Sequence, residues 1–74
     1  MTAERRLGNR LKEFRTARGL TQTDLAALAG VSRKTINTVE NSVFVPSTLL
    51  ALTLARTLDA TVEQLFFLID DERT

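Results

Sequence analysis

The central stretch of the chain, residues 22–41, carries apolar positions at two helical spacings with a break between them. Its first half predicts a helix with an apolar stripe, formed by Leu25, Ala26, Leu28 and Ala29. Thr21 and Asp24 are spaced as a capping box at the start of this helix, and Gly30 is placed to end it in a left-handed conformation. Ser32 is the predicted N-cap of a second helix, whose inward positions are Ile36 and Val39. The pattern therefore predicts two short helices joined by a sharp turn.

Three further helices are predicted on either side of this stretch. Asn9 is the expected cap of a first helix that ends near Arg18, with Leu11 and Phe14 facing inward. Ser47 follows Pro46 and is expected to cap a leucine-rich fourth helix that ends near Leu58. A second capping box, at residues 61 and 64, opens a short fifth helix, whose inward positions include Val62 and Leu65.

The two ends of the chain admit more than one structure. Residues 1–7 are either the frayed start of a helix capped by Thr2 or an extended arm, and the break at Gly8 favours the arm. The apolar run Phe67–Ile69 either extends the fifth helix or forms a short strand, because short apolar runs do not separate the two. Residues 70–74 are predicted to be a polar, frayed tail.

The charge is distributed unevenly, although the chain of 74 residues has a net charge of only +1. Residues 1–19 hold 6 basic and 2 acidic residues (+4), whereas residues 42–74 hold 2 basic and 5 acidic residues (−3). One end of the sequence is therefore suited to face phosphates. The absence of cysteine is typical of an intracellular protein, and no apolar run reaches the ~20 residues of a membrane span.

The central pattern meets the requirements of a helix-turn-helix. Ala26 is small where the two helices must cross closely, Gly30 permits the sharp turn, and Ile36 and Val39 hold the second helix while its polar face stays free. The chain resembles the phage repressor and Cro (XRE-type) helix-turn-helix family from about Gly8 to about Leu68. The matching segments are R-L-K-E-F-R, G-L-T-Q-x-D-L-A, G-V-S-R-K-T-I, E-N and P-S.

The resemblance implies an all-α, five-helix, lambda-repressor-like DNA-binding domain that spans residues 1–74, with the helix-turn-helix at 21–40. Small members of the family pair the C-terminal segment as a strand with the N-terminal arm, which would place Phe67–Ile69 beside Arg5–Leu7. A homodimer that forms through residues 47–69 is expected. Its predicted interface consists of Leu50, Leu54, Phe66, Phe67, Leu68 and Ile69.

The expected partner is double-stranded DNA, because a helix fits the major groove and its first turns reach the base edges. By their positions in the family pattern, Arg33 and Lys34 are the leading expected base contacts. Asn37 and Thr38, about one helical turn further on, are the other expected base contacts, and Asn37 is expected to read adenine or to contact only the DNA backbone. The expected contacts to the DNA backbone are Gln22, Ser32, Thr35, Asn41 and Arg10. Gln22 lies at the start of a helix, where free N–H groups attract an anion.

The resemblance assigns a structural role to Arg15 and Glu40, as a largely buried salt bridge between the first and third helices. The sequence departs from the family pattern at Ser42, where glycine is common. If the loop needs a left-handed residue, Asn41 is expected to be that residue, because Asn adopts this conformation more easily than Ser. Val43 replaces a frequent Lys or Arg. The apolar loop at Phe44 and Val45 is expected either to pack on the fourth helix or to join a dimer interface.

An enzyme is not expected, since the chain has neither His nor Cys and its glycines form no nucleotide-binding motif. No cofactor and no metal site are predicted. The expected function is that of a cytoplasmic, nucleoid-associated transcriptional regulator of bacterial or phage type, a repressor by family habit, on a palindromic operator. The alternative is an antitoxin or adaptor protein that acts mainly through an unidentified protein partner.

Overall fold

The computed structural model describes residues 5–70 and contains five helices and two strands. In chain order these are β1 (Arg5–Asn9), α1 (Leu11–Ala17), α2 (Gln22–Ala29), α3 (Arg33–Glu40), α4 (Thr48–Thr57), α5 (Val62–Leu65) and β2 (Phe66–Asp70). The fold is therefore the predicted five-helix, lambda-repressor-like arrangement with a short sheet. The predictions for residues 1–4 and 71–74 lie outside the described residues.

β1 and β2 form an antiparallel pair, called the terminal sheet below, in which Leu7 is opposite Leu68 and Gly8 is opposite Phe67. The strand alternative for Phe67–Ile69 is thus confirmed, beside Arg5–Leu7 as the resemblance implied. Gly8 is required here because a Cβ atom at that position would lie 2.7 Å from Cζ of Phe67 and 2.8 Å from Cδ1 of Ile69. The Phe67 ring therefore lies directly on the backbone of β1.

The helix starts follow the predicted capping chemistry except at α1. Thr21 with Asp24 and Thr61 with Gln64 form capping boxes, and Ser32 and Ser47 cap α3 and α4. The N-cap of α1 is Arg10, so the prediction that Asn9 caps this helix is wrong. Asn9 is the last residue of β1, where its Oδ1 accepts from the N–H of Leu11 and its Nδ2 donates to the carbonyl of Val39, both at 3.0 Å.

The core lies between α1, α2, α3, α4 and α5. It consists of Leu11, Leu25, Ala26, Ile36, Val39, Leu54, Ala55, Leu58, Leu65 and Phe66. Leu28 was expected in the apolar stripe of α2, but 62% of its surface is exposed, because α2 packs through Leu25 and Ala26 instead. Among residues 5–70, no helix has the length and hydrophobicity needed to cross a membrane.

The loop after α3 differs from its prediction in two respects. Ser42 itself adopts the left-handed conformation (φ 60°), whereas Asn41 has φ −89°, so the expectation for Asn41 is wrong. The N–H groups of Val43 and Phe44 both donate to the carbonyl of Thr38, which fixes the reversal of the chain. Val43, Phe44 and Val45 are exposed, so the loop does not pack on α4.

Candidate nucleic-acid interface

The start of α3 presents polar side chains to solvent. The hydroxyl of Ser32 accepts from the N–H of Thr35 at 3.1 Å, which satisfies one of the free amides of the first turn. Arg33 and Lys34 follow directly and are exposed. The buried positions Ile36 and Val39 hold the opposite face of the helix in the core. The N-terminal turn of α3 is thus anchored from beneath and is accessible from outside.

An ion pair between Arg15 and Glu40 supports this surface. Nε of Arg15 lies 2.6 Å from Oε2 of Glu40, and the two side chains are only 9% and 5% exposed. A second arm of the guanidinium donates to Oε1 of Glu40 at 3.2 Å, and the third donates to the carbonyl of Leu20 at 2.8 Å. All arms of the buried guanidinium are therefore satisfied, as burial of a charge requires.

Gln22 connects the ion pair to the exposed face of α3. Its Nε2 donates to Oε1 of Glu40 at 3.1 Å. Its Oε1 accepts from Nη1 of Arg33 at 3.1 Å and from Nδ2 of Asn37 at 3.5 Å. The first residue of α2 is thus bonded to the beginning, the middle and the end of α3.

Asn41 extends the same set of bonds, because its Nδ2 donates to Oδ1 of Asn37 at 3.3 Å. We call the hydrogen-bonded residues Arg15, Gln22, Arg33, Asn37, Glu40 and Asn41 the reading network. The structure thus joins four of the predicted DNA contacts to the predicted structural pair. Sequence reasoning missed the bond between Gln22 and Glu40, which are 18 positions apart and carry no local pattern that connects them.

The remaining predicted DNA contacts lie outside the reading network. The hydroxyls of Ser32 and Thr35 share a hydrogen bond of 3.0 Å, and the hydroxyl of Thr38 donates back to the carbonyl of Thr35. Lys34 is exposed beside Arg33. Arg10 lies between β1 and α1, with its guanidinium carbon 4.7 Å from the centre of the Phe67 ring. Arg10 is therefore associated with the terminal sheet rather than with α3.

One carboxylate near the interface has a perturbed acidity. The carboxylate of Asp24 accepts a hydrogen bond from the backbone N–H of Thr21. This bond, followed by the interaction with the Thr21 side chain, lowers the pKa of the Asp24 carboxyl. The negative charge is favourable in the first turn of α2, close to the positive end of the helix dipole. Within the part of the chain that the structure describes, no group of acidic residues is arranged to hold a metal ion.

The predicted dimer interface is divided by the structure. Leu54 and Phe66 lie in the core of one chain, at 0% and 7% exposure, because α4 and the start of β2 turn these side chains inward. Their assignment to an interface between chains is therefore wrong. Leu50 and Phe67 are half-buried, and Leu68 and Ile69 are exposed.

A groove between the terminal sheet and the loop after α3, called the strand–loop groove, adds apolar surface next to Ile69. The side chains that line it are Arg6, Leu7, Asn9, Val39, Ser42, Phe44, Val45, Pro46, Phe66 and Ile69. A second apolar surface, formed by Leu28, Leu49 and Leu52, borders another groove between α2 and α4.

Comparison with known families gives a match over most of the chain. A family model described as helix-turn-helix matches residues 11–65. An uncharacterised helix-turn-helix-type transcriptional regulator of Archaeoglobus fulgidus is 43% identical over 63 residues, which cover 85% of this chain and 90% of the relative. The uncharacterised helix-turn-helix-type transcriptional regulator MJ0272 of Methanocaldococcus jannaschii is 42% identical over 64 residues, which cover 86% of this chain and 97% of the relative.

Solved structures give the same relationship. The restriction-modification controller protein C.AhdI of Aeromonas hydrophila superposes with a TM-score of 0.71 at 40% identity, over 74% of this chain and 83% of that chain. SinR, in a complex with SinI, superposes with a TM-score of 0.69 at 27% identity, over 73% of this chain and 53% of that chain.

Proposed function

Because this chain belongs to the XRE-type helix-turn-helix family of transcriptional regulators, which are not enzymes, we propose that it reads specific DNA sequences with α3. The observation that carries the proposal is the reading network. It presents Arg33 and Asn37 on the accessible side of α3 and bonds both to the start of α2. An exposed, polar first turn on α3 supports the proposal, because in helix-turn-helix proteins the first turns of this helix reach the base edges of the major groove.

The proposed base contacts are Arg33, Lys34, Asn37 and Thr38. A guanidinium bonds O6 and N7 of guanine together, Lys reaches the same atoms as a point charge, and an amide pairs with adenine. The proposed contacts to phosphates are Gln22, Ser32, Thr35, Asn41 and Arg10, of which Gln22 lies at the N-terminus of α2. Residues 1–74 act in this proposal as one DNA-binding domain, located in the cytoplasm on the nucleoid.

We further propose that two copies bind a palindromic operator, with their α3 helices in successive major grooves about 34 Å apart. The support for a homodimer is the exposed apolar surface on the terminal sheet and the adjoining loop. Leu50, Phe67, Leu68 and Ile69 remain from the predicted interface, and the apolar loop residues Val43, Phe44 and Val45 extend it. Such a dimer represses by occupying a promoter, which needs no additional contact surface.

A protein partner is the second candidate function. SinR, which this chain resembles, is seen in a complex with SinI. The surface formed by Leu28, Leu49 and Leu52 is exposed and separate from the terminal sheet, so a regulator of this fold has room for a partner besides a second copy.

DNA binding is tested by selecting sites from a random-sequence library and measuring fluorescence anisotropy at several salt concentrations. We expect the selected DNA to be preferred over scrambled DNA, with affinity that falls as salt increases. Arg33→Ala should remove about 1–3 kcal/mol of that preference, and Arg56→Ala on α4 is the control. Equal binding to both DNAs, unchanged by Arg33→Ala, would contradict sequence-specific reading and favour the protein partner.

Light scattering in solution tests the dimer. Leu68→Lys and Leu28→Lys place the same charge at two leucines of nearly equal exposure, 64% and 62%, on different surfaces. We expect Leu68→Lys to produce monomers and Leu28→Lys to leave dimers. The reverse result would move the interface to the surface between α2 and α4.

A further inference from the structure

We propose that Glu40, beyond its part in the ion pair, positions the base-reading side chains by fixing the orientation of the Gln22 amide. This inference depends on the proposed function of α3. The Glu40 carboxylate is only 5% exposed, yet in this proposal it influences which bases the exposed face of α3 recognises. Glu40 is a positioning residue in this proposal, since it acts on DNA only through Gln22.

The chemistry of the carboxylate determines which end of the amide faces it. An ionised carboxylate only accepts hydrogen bonds, so Gln22 has to turn its NH₂ group toward Glu40. The bond from Nε2 to Oε1 of Glu40 is 3.1 Å long. The same guanidinium that neutralises Glu40 keeps it in place, through bonds from Nε and Nη2 of Arg15.

Fixing the NH₂ group also fixes the carbonyl of the amide. Oε1 of Gln22 faces α3, where Nη1 of Arg33 and Nδ2 of Asn37 both donate to it. A guanidinium has no acceptor, so an amide turned the other way would place donors against donors at Arg33. One buried charge thereby decides which hydrogen-bonding groups the exposed face of α3 retains.

Two consequences for DNA reading follow. Arg33 is long and flexible, and ordering it before binding lowers the entropy cost of the complex, which corresponds to roughly two- to tenfold in affinity for a side chain of this kind. Among residues 5–70, Nε2 of Gln22 donates to Glu40 alone, so its second hydrogen is available to a phosphate oxygen. Gln22 can therefore contact the DNA backbone and hold Arg33 at the same time, with separate atoms.

The test uses Gln22→Met, which retains the unbranched stem, removes the amide and leaves Arg15 and Glu40 paired. Nuclear magnetic resonance of the free protein measures how fast the Arg33 guanidinium rotates. We expect faster rotation in Gln22→Met than in the unsubstituted protein, and no change in the control Thr23→Met, at the exposed neighbouring position. Unchanged rotation in Gln22→Met would overturn the proposal.

DNA binding separates positioning from phosphate contact. Loss of a phosphate contact weakens binding to all sequences equally, whereas loss of positioning lowers the ratio of specific to non-specific affinity. We expect that ratio to fall by roughly two- to tenfold in Gln22→Met. A ratio equal to that of the unsubstituted protein would overturn the inference.

Glu40→Gln tests the role of the charge itself. It retains the size of the side chain but gives residue 40 a donor as well as an acceptor, so the Gln22 amide is no longer fixed from this side. Because Arg33 and Asn37 still donate to the carbonyl of Gln22, we expect the Arg33 guanidinium to rotate faster than in the unsubstituted protein and more slowly than in Gln22→Met. Rotation equal to that of the unsubstituted protein would overturn the role of Glu40. Circular dichroism identifies temperatures at which the variant is folded. If Glu40→Gln does not fold, unchanged Arg33 rotation in Gln22→Met would still overturn the proposal. Failure of the proposed function would appear in the unsubstituted protein, as equal binding to all DNAs, whereas failure of this inference appears only in the variants.

Discussion

The surface of α3 and the terminal sheet differ in what stabilises their exposed side chains. The surface of α3 is polar, and Arg33 and Asn37 are bonded through Gln22 to the buried Arg15–Glu40 pair. The terminal sheet and the adjoining loop present apolar side chains such as Phe44 and Leu68, which are 47% and 64% exposed. Polar groups can be ordered by hydrogen bonds within one chain, whereas exposed apolar groups gain free energy only when a second molecule covers them.

The same difference indicates how each surface would fail. The surface of α3 depends on a few directional bonds to one buried ion pair, so the loss of a single partner leaves an uncompensated charge. The terminal sheet depends on the fit of the Phe67 ring against Gly8, which is sensitive to added volume. The following changes separate the two.

Arg15→Ala should have the largest effect. It leaves Glu40 buried without its partner, at a cost of about 3–5 kcal/mol in the free energy of unfolding, and also disorders Gln22. Because domains of this size have little stability to lose, we expect partial or complete unfolding at 25 °C in circular dichroism and urea titration. Arg56→Ala, at an exposed position on α4, is the control, and equal stability of the two variants would contradict the buried ion pair.

Gly8→Ala should disturb the terminal sheet and spare α3. The added methyl group meets the Phe67 ring, and we expect a loss of about 1–3 kcal/mol in the free energy of unfolding. A double-mutant cycle with Phe67→Ala measures the cause, because removal of the ring makes room for the methyl group. If the two losses simply add, the contact between Gly8 and Phe67 is not the source.

Ser32→Ala and Ser47→Ala remove the same kind of N-cap hydrogen bond, one at the start of α3 and one at the start of α4. Each serine accepts a hydrogen bond of 3.1 Å from the amide three residues later. In each variant we therefore expect the free energy of unfolding, measured by thermal denaturation, to fall by about 1 kcal/mol. Only Ser32 lies beside the proposed base contacts. We expect a loss of DNA affinity in Ser32→Ala alone, and equal losses in both variants would indicate an effect through stability.

The smallest effect concerns pH. Hydrogen bonds to Thr21 lower the pKa of Asp24 from its ordinary value of 3.8, so this carboxylate contributes stability above pH 3.8 that is lost as the pH falls through the lowered pKa. The capping box of α5 has Gln64 in the equivalent place and does not titrate. We expect Asp24→Asn to reduce the fall in melting temperature between pH 5 and pH 2, whereas Gln64→Ala should leave that fall unchanged.

Local chemistry was readable from the sequence wherever the interacting residues lie within one helical turn. The capping boxes at Thr21 and Thr61 and the caps at Ser32 and Ser47 were predicted from a spacing of three residues, and the structure has all of them. The positions of α2 and α3 followed from the apolar periodicity. The helix-turn-helix itself was recognisable because small, flexible and apolar residues occur at fixed distances.

Long-range packing decided what these local rules could not. Asn9 has the chemistry of a cap, but β1 extends to it and its side chain bonds Val39, 30 positions away. Leu28 has the periodicity of a core residue, but it is 62% exposed, and the buried residues of α2 are Leu25 and Ala26. The left-handed residue after α3 is Ser42 rather than Asn41, because the following amides bond Thr38.

The sequence by itself determined the helices, the caps of α2 to α5, the helix-turn-helix and the residue types on α3, since all of these depend on neighbours in the chain. Only the tertiary structure decided that residues 66–70 form a strand, that Leu54 and Phe66 belong to the core, and that Gln22 joins Glu40 to Arg33. An apolar run or an amide side chain can be satisfied by several partners. The choice among them is made when the whole chain packs and each buried polar group must find a partner.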